Sequence, residues 1–285
     1  MISVIIPTFN RERFLKKAIG SVLSQTYQDV ELVIVDDGST DRTKEIALSY
    51  CVERTASCEN ARRVTHNAVR YIYQSNKGPA AARNTGIKNS TKPFIAFLDS
   101  DDWWDADKLA VQLDAMLDEP DYTVSHTDET WYRGERLLNQ KKKHKKQHGY
   151  IFDKCLSLCA VSMSTVMIKR GLFYDIGFFD ESLPCCEDYD FWLRASARNK
   201  FLFIEKALTL KDGGRPDQVS YIYRTGIDRF RIHAIVNLLE SGILNPKQKK
   251  LAILELRKKC RIYGNGCIKH GRKEEGAHYL GLEKN

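Results

Sequence analysis

The chain has 285 residues, of which 42% are hydrophobic and 29% charged, and its formal net charge is +8. This is the composition of an ordinary soluble globular protein, with enough chain to bury a sizeable core in one large domain or two small ones. No apolar stretch approaches the roughly 20 residues needed to span a bilayer, and zinc-finger spacing, an RNP-type strand and a basic heptad helix are all missing, which argues against a nucleic-acid module.

In chain order, "ISVII" (2 to 6) is a β-branched run closed by Pro7 and reads as a strand. It is apolar for only a few residues and lacks a basic leader, so the expectation is a cytosolic protein and not a secreted one. Residues 11 to 26 then place Leu15, Ala18, Ile19, Val22 and Leu23 at helical spacing. "ELVIV" (31 to 35) is a second strand ending in "DDGSTD", where Gly38 makes the turn and Ser39 or Asp41 can cap the next helix. The polar stretch "CVERTASCENARRVTHNA" reads as a surface excursion. "RYIYQ" (70 to 74) and "PFIAFL" (93 to 98) are the third and fourth strands, with the small-residue helix "GPAAARNTGIKNS" between them. Apolar strands separated by helices predict an α/β fold with a parallel sheet covered on both faces.

Ligands of open α/β sheets gather at the carboxyl ends of the strands. "PTFN", "DDGSTD" and "DSDD" all sit at such ends, so one sheet edge presents several carboxylates to one crevice. In "DSD", Asp99 and Asp101 are two residues apart and project to the same side of an extended or tightly turning segment. Two carboxylates suit a hard divalent ion, Mg²⁺ or Mn²⁺, shared with a substrate diphosphate. The alternative is that these acids only cap a helix starting near Asp105. Trp103 and Trp104 are expected to pack beneath or beside the pocket.

Past Pro120 the pattern changes to short strands such as "YTVSH" and "STVMI". Between them lies "KKKHKKQH" (141 to 148), five lysines without an acid, which is either a solvated loop or a surface for anionic lipid or phosphate. "CEDYDFWLRASARN" reads as a helix whose early acids suit the macrodipole. From about residue 226 the tail reads as helical, with Ile232, Ile235, Val236, Leu238 and Leu239 apolar. The eight cysteines form no CxxC pair and read as reduced, mostly buried thiols; Cys155 and Cys159 are one turn apart if their segment is helical.

"PTFN", "VDDGSTD", "AARNTG", "FLDSDDWW" and "CEDYDFWLR", in this order, closely resemble the family 2 glycosyltransferases, inverting enzymes of the bacterial type with the GT-A fold. The resemblance is dense over residues 1 to 110 and strong again around 160 to 225. It implies a Rossmann-like, mixed and mainly parallel central sheet flanked by helices, forming a GT-A domain over 1–225. Residues 1–110 would be its nucleotide-binding half and 111–225 its acceptor and catalytic half, followed by a helical C-terminal extension over 226–285.

By the same resemblance Thr8 and Phe9 lie against the nucleotide, Asp37 bonds the base while Asp36 is structural, and Arg83 meets the nucleotide. Asp99 contacts the ribose, Asp101 binds the metal, and Asp188 is the general base, with Asp190 its nearest confounder. Many relatives carry a histidine within the stretch matching "KDGGRPDQVS" (211 to 220), where this chain has Lys211 and Arg215, neither of which is assigned as a ligand. The implied function is transfer of a sugar from a nucleoside-diphosphate donor, UDP-linked by expectation, with Mn²⁺ or Mg²⁺. The acceptor is a hydroxyl of a glycan or lipid-linked molecule, in polysaccharide or lipopolysaccharide synthesis at the inner face of the membrane. Lys141 to Lys146 would supply peripheral contact with anionic lipid. A nucleotide-sugar-binding protein without catalysis and a sugar nucleotidyltransferase are the alternatives.

Overall fold

The computed structural model describes residues 1–51, 68–134 and 136–283. The excursion expected over 51–68 therefore lies, but for its two ends, outside the described residues, as does Cys58.

The first half alternates strand and helix: β1 (Ile2–Thr8), α1 (Leu15–Leu23), β2 (Val30–Asp36), α2 (Thr43–Cys51), β3 (Ala68–Tyr73), α3 (Pro79–Lys88) and β4 (Phe94–Phe97). The strands lie parallel in the order β3-β2-β1-β4. Next come β5 (Asp102–Trp104), α4 (Lys108–Asp118), β6 (Val124–Arg133), β7 (Arg136–Leu138), α5 (Phe152–Ser157), β8 (Val166–Lys169), α6 (Gly171–Ile176), α7 (Glu187–Arg198) and β9 (Phe201–Asp212). These extend the same sheet as β4-β8-β6-β9-β5, with β7 on the far side of β6. In this half only β6 and β9 run parallel, and the other ladders are antiparallel.

Alternate residues of the central strands serve two separate cores, as a period of two requires. Ile5, Val33, Val35, Ile95 and Phe97 face one layer, with Ala80, Phe152, Leu172, Phe173 and Trp192 from the helices. Ile2, Val4, Ile6, Leu32 and Ile34 face the other, with Leu15, Ile19, Ala47, Leu109 and Leu113. Each such side chain contributes roughly 1.5–3 kcal/mol on full burial, so the near-continuous apolar runs of β1 and β2 fix the sheet between two helical layers. The tail forms α8 (Val219–Ile222), α9 (Ile227–Glu240), α10 (Pro246–Lys269) and α11 (Lys273–Leu282). Ala234, Ile235 and Leu238 of α9 join the first core beside Trp192, so α9 packs directly on α7.

Three local expectations change. The first helix begins at Leu15, not residue 11, because residues 9 to 14 form a loop in which Asn10 takes φ +51°. Cys155 lies in α5, but that helix ends at Ser157, so Cys159 stands beyond it and the two thiols do not share a helical face. Lys146 is not part of an exposed basic run: it is buried and paired with Glu129 at 3.2 Å, while Lys141, Lys142 and Lys145 stay on the surface. Among the described residues no helix is long and apolar enough to cross a membrane.

Candidate active site

The carboxyl ends of β1 and β2, the turn after β4 and the first turn of α7 open into one cleft of about 1370 Å³. That exceeds the roughly 300–1,000 Å³ of ordinary small-molecule pockets and suits two substrates meeting. Thr8, Phe9, Asp37, Arg83, Asp99, Asp101 and Asp188 all line it, so the seven residues to which the resemblance gives nucleotide, metal or base roles are brought to one place.

At the β1 end of the cleft, Thr8 closes the strand with its Oγ1 buried and without a hydrogen-bond partner among the described residues, while Phe9 is 43% exposed. An orphaned buried hydroxyl is costly unless a ligand or water meets it. Asp36 is fully buried; it accepts from Ser39 N at 2.8 Å and Tyr71 Oη at 2.8 Å. Asp37 accepts from Lys77 N at 2.9 Å, Gly78 N at 2.8 Å and Gln74 Nε2 at 2.6 Å, and so pins the turn that starts α3. A carboxylate offers about four acceptor sites, which leaves room for one further donor. Gly78 takes φ +91° at this turn, and Pro79 follows as the first helical residue.

Arg83 joins the two halves of the site. Its buried guanidinium donates from Nη2 to Asp99 Oδ1 at 2.8 Å and from Nη1 to Glu187 Oε1. Burial works against the charge on Arg83, but Asp99, Glu187 and Asp188 hold its pKa above the usual value. For Asp99, burial pushes the carboxyl upward, yet Arg83 and Lys211 outweigh it and keep the pKa low. For Glu187 burial wins: one guanidinium shared between two acids, with Asp188 adjacent, leaves its pKa raised.

Asp101 and Asp102 behave differently although adjacent. Asp102 is buried, accepts from Ser164 Oγ at 2.6 Å and lies 3.6 Å from Lys211 Nζ across the β5–β9 ladder. Burial, with Asp101 and Asp99 nearby, raises its pKa well above the carboxylate range despite Lys211. Asp101 faces the cleft, where its Oδ2 accepts from Arg215 Nη2 and from Gln218 Nε2 at 3.1 Å. Trp104 anchors this segment by donating from Nε1 to Ser164 O at 2.7 Å, and Trp103 stacks on Tyr132. The acids after β4 thus shape a pocket and do not cap α4, where Asp107 makes no side-chain cap bond.

Asp188 stands in the first turn of α7, half-buried, and its Oδ2 accepts from Cys159 Sγ at 3.1 Å. Cys186, immediately before the helix, takes φ +65°, a left-handed conformation that costs a non-glycine residue about 1–2 kcal/mol. Asp190, two residues on, does not line the cleft and is paired with Arg194, which donates to it from Nη2 at 2.7 Å and from Nε at 3.0 Å.

Sequence motifs assign no site role to Ser164, Lys211 or Arg215. Lys211 carries a readable signal as a basic residue opening a glycine-rich stretch, but its pairing with Asp102 depends on a long-range ladder. Ser164 carries none.

Asp99 and Asp101 place carboxylate oxygens, the donor type a hard divalent ion takes, on the cleft, but each is paired with an arginine, and among the described residues no three His, Cys, Asp or Glu side chains gather as a metal site.

Such a sheet, with its acid-lined cleft at the strand ends, is the architecture of the GT-A glycosyltransferases. S. aureus TarS in complex with UDP-GlcNAc superposes with a TM-score of 0.64 at 20% identity, covering 99% of this chain and 90% of that one. The mannosyltransferase PcManGT from Pyrobaculum calidifontis, in complex with GDP-Man and Mn²⁺, superposes at 0.68 with 16% identity, covering 98% and 74%.

The profile of glycosyl transferase family 2 matches residues 3–177. The chain belongs to that family. An uncharacterized glycosyltransferase of Rickettsia felis is 36% identical over 214 residues, and the match covers 73% of this chain but only 32% of that protein. The chain thus spans about a third of the length of that protein, and 58% of a shorter relative from Rickettsia prowazekii. An Escherichia coli protein named UDP-Glc:alpha-D-GlcNAc-diphosphoundecaprenol beta-1,3-glucosyltransferase WfgD is 32% identical over 196 residues, 68% of each chain.

Proposed function

We propose that the protein is an inverting glycosyltransferase that moves a sugar from a nucleoside-diphosphate donor, UDP-linked, to a hydroxyl of a glycan or lipid-linked acceptor. The carrying observation is the Arg83 bridge, which ties Asp99 on the donor side to Glu187, the neighbour of Asp188, within one cleft. The name of the E. coli relative, with its UDP-linked donor and lipid diphosphate acceptor, supports this choice of substrates. Nucleotide sugars in the TarS and PcManGT complexes support the donor class.

In this reading Phe9 offers a ring to the base, Thr8 Oγ1 meets a nucleotide polar group, and Asp37 accepts from the base while holding its own turn. Asp99 meets the ribose, and Arg83 fixes the Asp99 carboxylate for that contact. Asp101, with Asp99, would hold Mn²⁺ or Mg²⁺, which neutralises the charge growing on the departing diphosphate. Asp188 takes the proton from the acceptor hydroxyl as its oxygen attacks the anomeric carbon from the face opposite the leaving group. Cys159 on Oδ2 and the Tyr189 N–H on Oδ1, at 2.7 Å, restrain the carboxylate, and the lone pairs left on these oxygens face the acceptor.

Product analysis tests the proposal. Incubation with UDP- and GDP-sugars and an acceptor should release nucleoside diphosphate, whereas pyrophosphate released from a nucleoside triphosphate and a sugar 1-phosphate would identify a nucleotidyltransferase. Asp188→Asn should abolish turnover and leave donor binding intact; normal turnover in that variant would remove Asp188 as the base.

A further inference from the structure

Residues 213 to 218 cross the donor side of the cleft as a strap, and its charges are arranged unusually. Arg215 donates from Nη2 to Asp101 Oδ2 and from Nη1 to Asp212 O at 2.7 Å. It pairs further with Asp212 Oδ2 at 3.3 Å and Asp217 Oδ1 at 3.2 Å, and its Cζ lies 4.2 Å from the centroid of the Phe14 ring. Gln218 adds a second bond to the same Asp101 oxygen at 3.1 Å, while its Oε1 accepts from Gly214 N at 2.8 Å. Arg11, in the loop after Thr8, closes the other edge by pairing with Asp217 Oδ2 at 3.1 Å. The strap therefore binds the nucleotide loop at one end and the metal-facing carboxylate at the other. It leaves β9 through Gly213 and Gly214, the latter at φ +83°, a backbone suited to turning away from a strand.

We propose that Arg215 is a built-in competitor of the divalent cation: its guanidinium neutralises Asp101 and must leave that oxygen when the ion binds, which frees the strap over the donor. This rests on the assignment of Asp101 as a metal ligand. The physical ground is exclusion. A hard ion coordinates carboxylate oxygen at about 2.0–2.1 Å, and a guanidinium on the same oxygen would place two cations within about 4 Å. A charge-assisted bond in a half-buried setting stabilises strongly enough to weaken metal binding by on the order of tenfold or more. Arg215, once released, is a cation on the donor side that a diphosphate can recruit. Metal entry and donor capture are thereby coupled through one side chain.

The test titrates Mn²⁺ alone, followed by electron paramagnetic resonance of the free ion, into four proteins: wild type, Arg215→Gln, Asp101→Asn and the double variant. The expected result is Mn²⁺ affinity in Arg215→Gln on the order of tenfold tighter than in wild type, with both Asp101→Asn proteins binding more weakly than their parents. Equal or weaker Mn²⁺ affinity in Arg215→Gln, with Asp101→Asn still weakening binding, overturns the competition and leaves Asp101 as a ligand. If Asp101→Asn changes nothing in either background, the metal assignment fails and the competition with it. Circular dichroism checks the fold of each protein. Should Arg215→Gln not fold, Arg215→Lys, which keeps the charge but loses the planar fork, must show a smaller gain in the same direction, and no gain there counts against the proposal.

Discussion

Replacing Arg83 by methionine removes one buried cation from between two acids while keeping most of the side-chain volume. Arg83 and Glu187 are 5% and 6% exposed, so Glu187 loses its counter-charge in a dry setting. The Asp99 side chain is 29% exposed at the cleft, and water screens much of its share. Breaking a buried pair by removing one partner costs about 3–5 kcal/mol; with Asp99 discounted, the expected loss is about 3 kcal/mol at pH 7. The pH dependence has a definite sign. The lowered pKa of Asp99 contributes stability that is present above its unfolded pKa of about 4 and is lost only as pH falls through its still lower folded value. Between pH 7 and 5 the wild type therefore keeps that contribution. In the variant both carboxyls protonate more readily, so falling pH relieves the uncompensated charge and the loss should shrink at pH 5. Urea unfolding at the two pH values, with the slope m checked for constancy, measures this. A loss below about 1 kcal/mol at pH 7, or one that grows toward pH 5, would refute the account of Arg83 as the central counter-ion.

Lys108 is fully buried, donates to Val166 O at 3.3 Å and lies 3.8 Å from the centroid of the Trp104 ring, and burial holds its pKa well below the usual value. The unfolded chain binds the extra proton, so this lysine destabilises the fold below its unfolded pKa of about 10.4, and stability rises with pH through the window between the two values. Lys108→Met should stabilise by about 1–3 kcal/mol at pH 7, with the difference narrowing toward pH 10 in paired urea titrations; a destabilised variant would contradict this. At Gly86 in α3, an added Cβ would overlap Ile5 Cγ2 of β1. Gly86→Ala should therefore cost about 1–2 kcal/mol, overpacking outweighing the gain in helix propensity, and a raised melting temperature would contradict that packing.

The nucleotide-binding half was readable because its physics is local. β1, β2 and β4 are near-continuous apolar runs, and the acids at their ends follow from chain direction alone. Asp41 accepts from Thr43 N at 2.9 Å, as a capping residue before α2 should. The second half hid its order. β9 was not anticipated because Glu205 and Lys206 interrupt its apolar pattern with exposed residues, where its register against β6 also shifts. Without β9 the Asp102–Lys211 pairing has no sequence signature, and the short β5 reads only as acids after a strand. Arg215 was visible as a basic residue in a glycine-rich stretch, but its contact with Asp101 spans 114 positions. The lysine run shows the converse limit: composition marks it as solvated, yet Lys146 finds Glu129 in the interior. The Asp190–Arg194 pair in α7, by contrast, is a local contact one turn apart that helical spacing alone permits.

Calorimetric titration with UDP and GDP, each with and without Mn²⁺, in wild type and Asp101→Ala, tests the central claim most directly. The account predicts that one nucleotide binds, that Mn²⁺ strengthens it and that Asp101→Ala loses the metal-dependent part. Binding that is indifferent to Mn²⁺ and to Asp101, or no nucleotide binding at all, would contradict it.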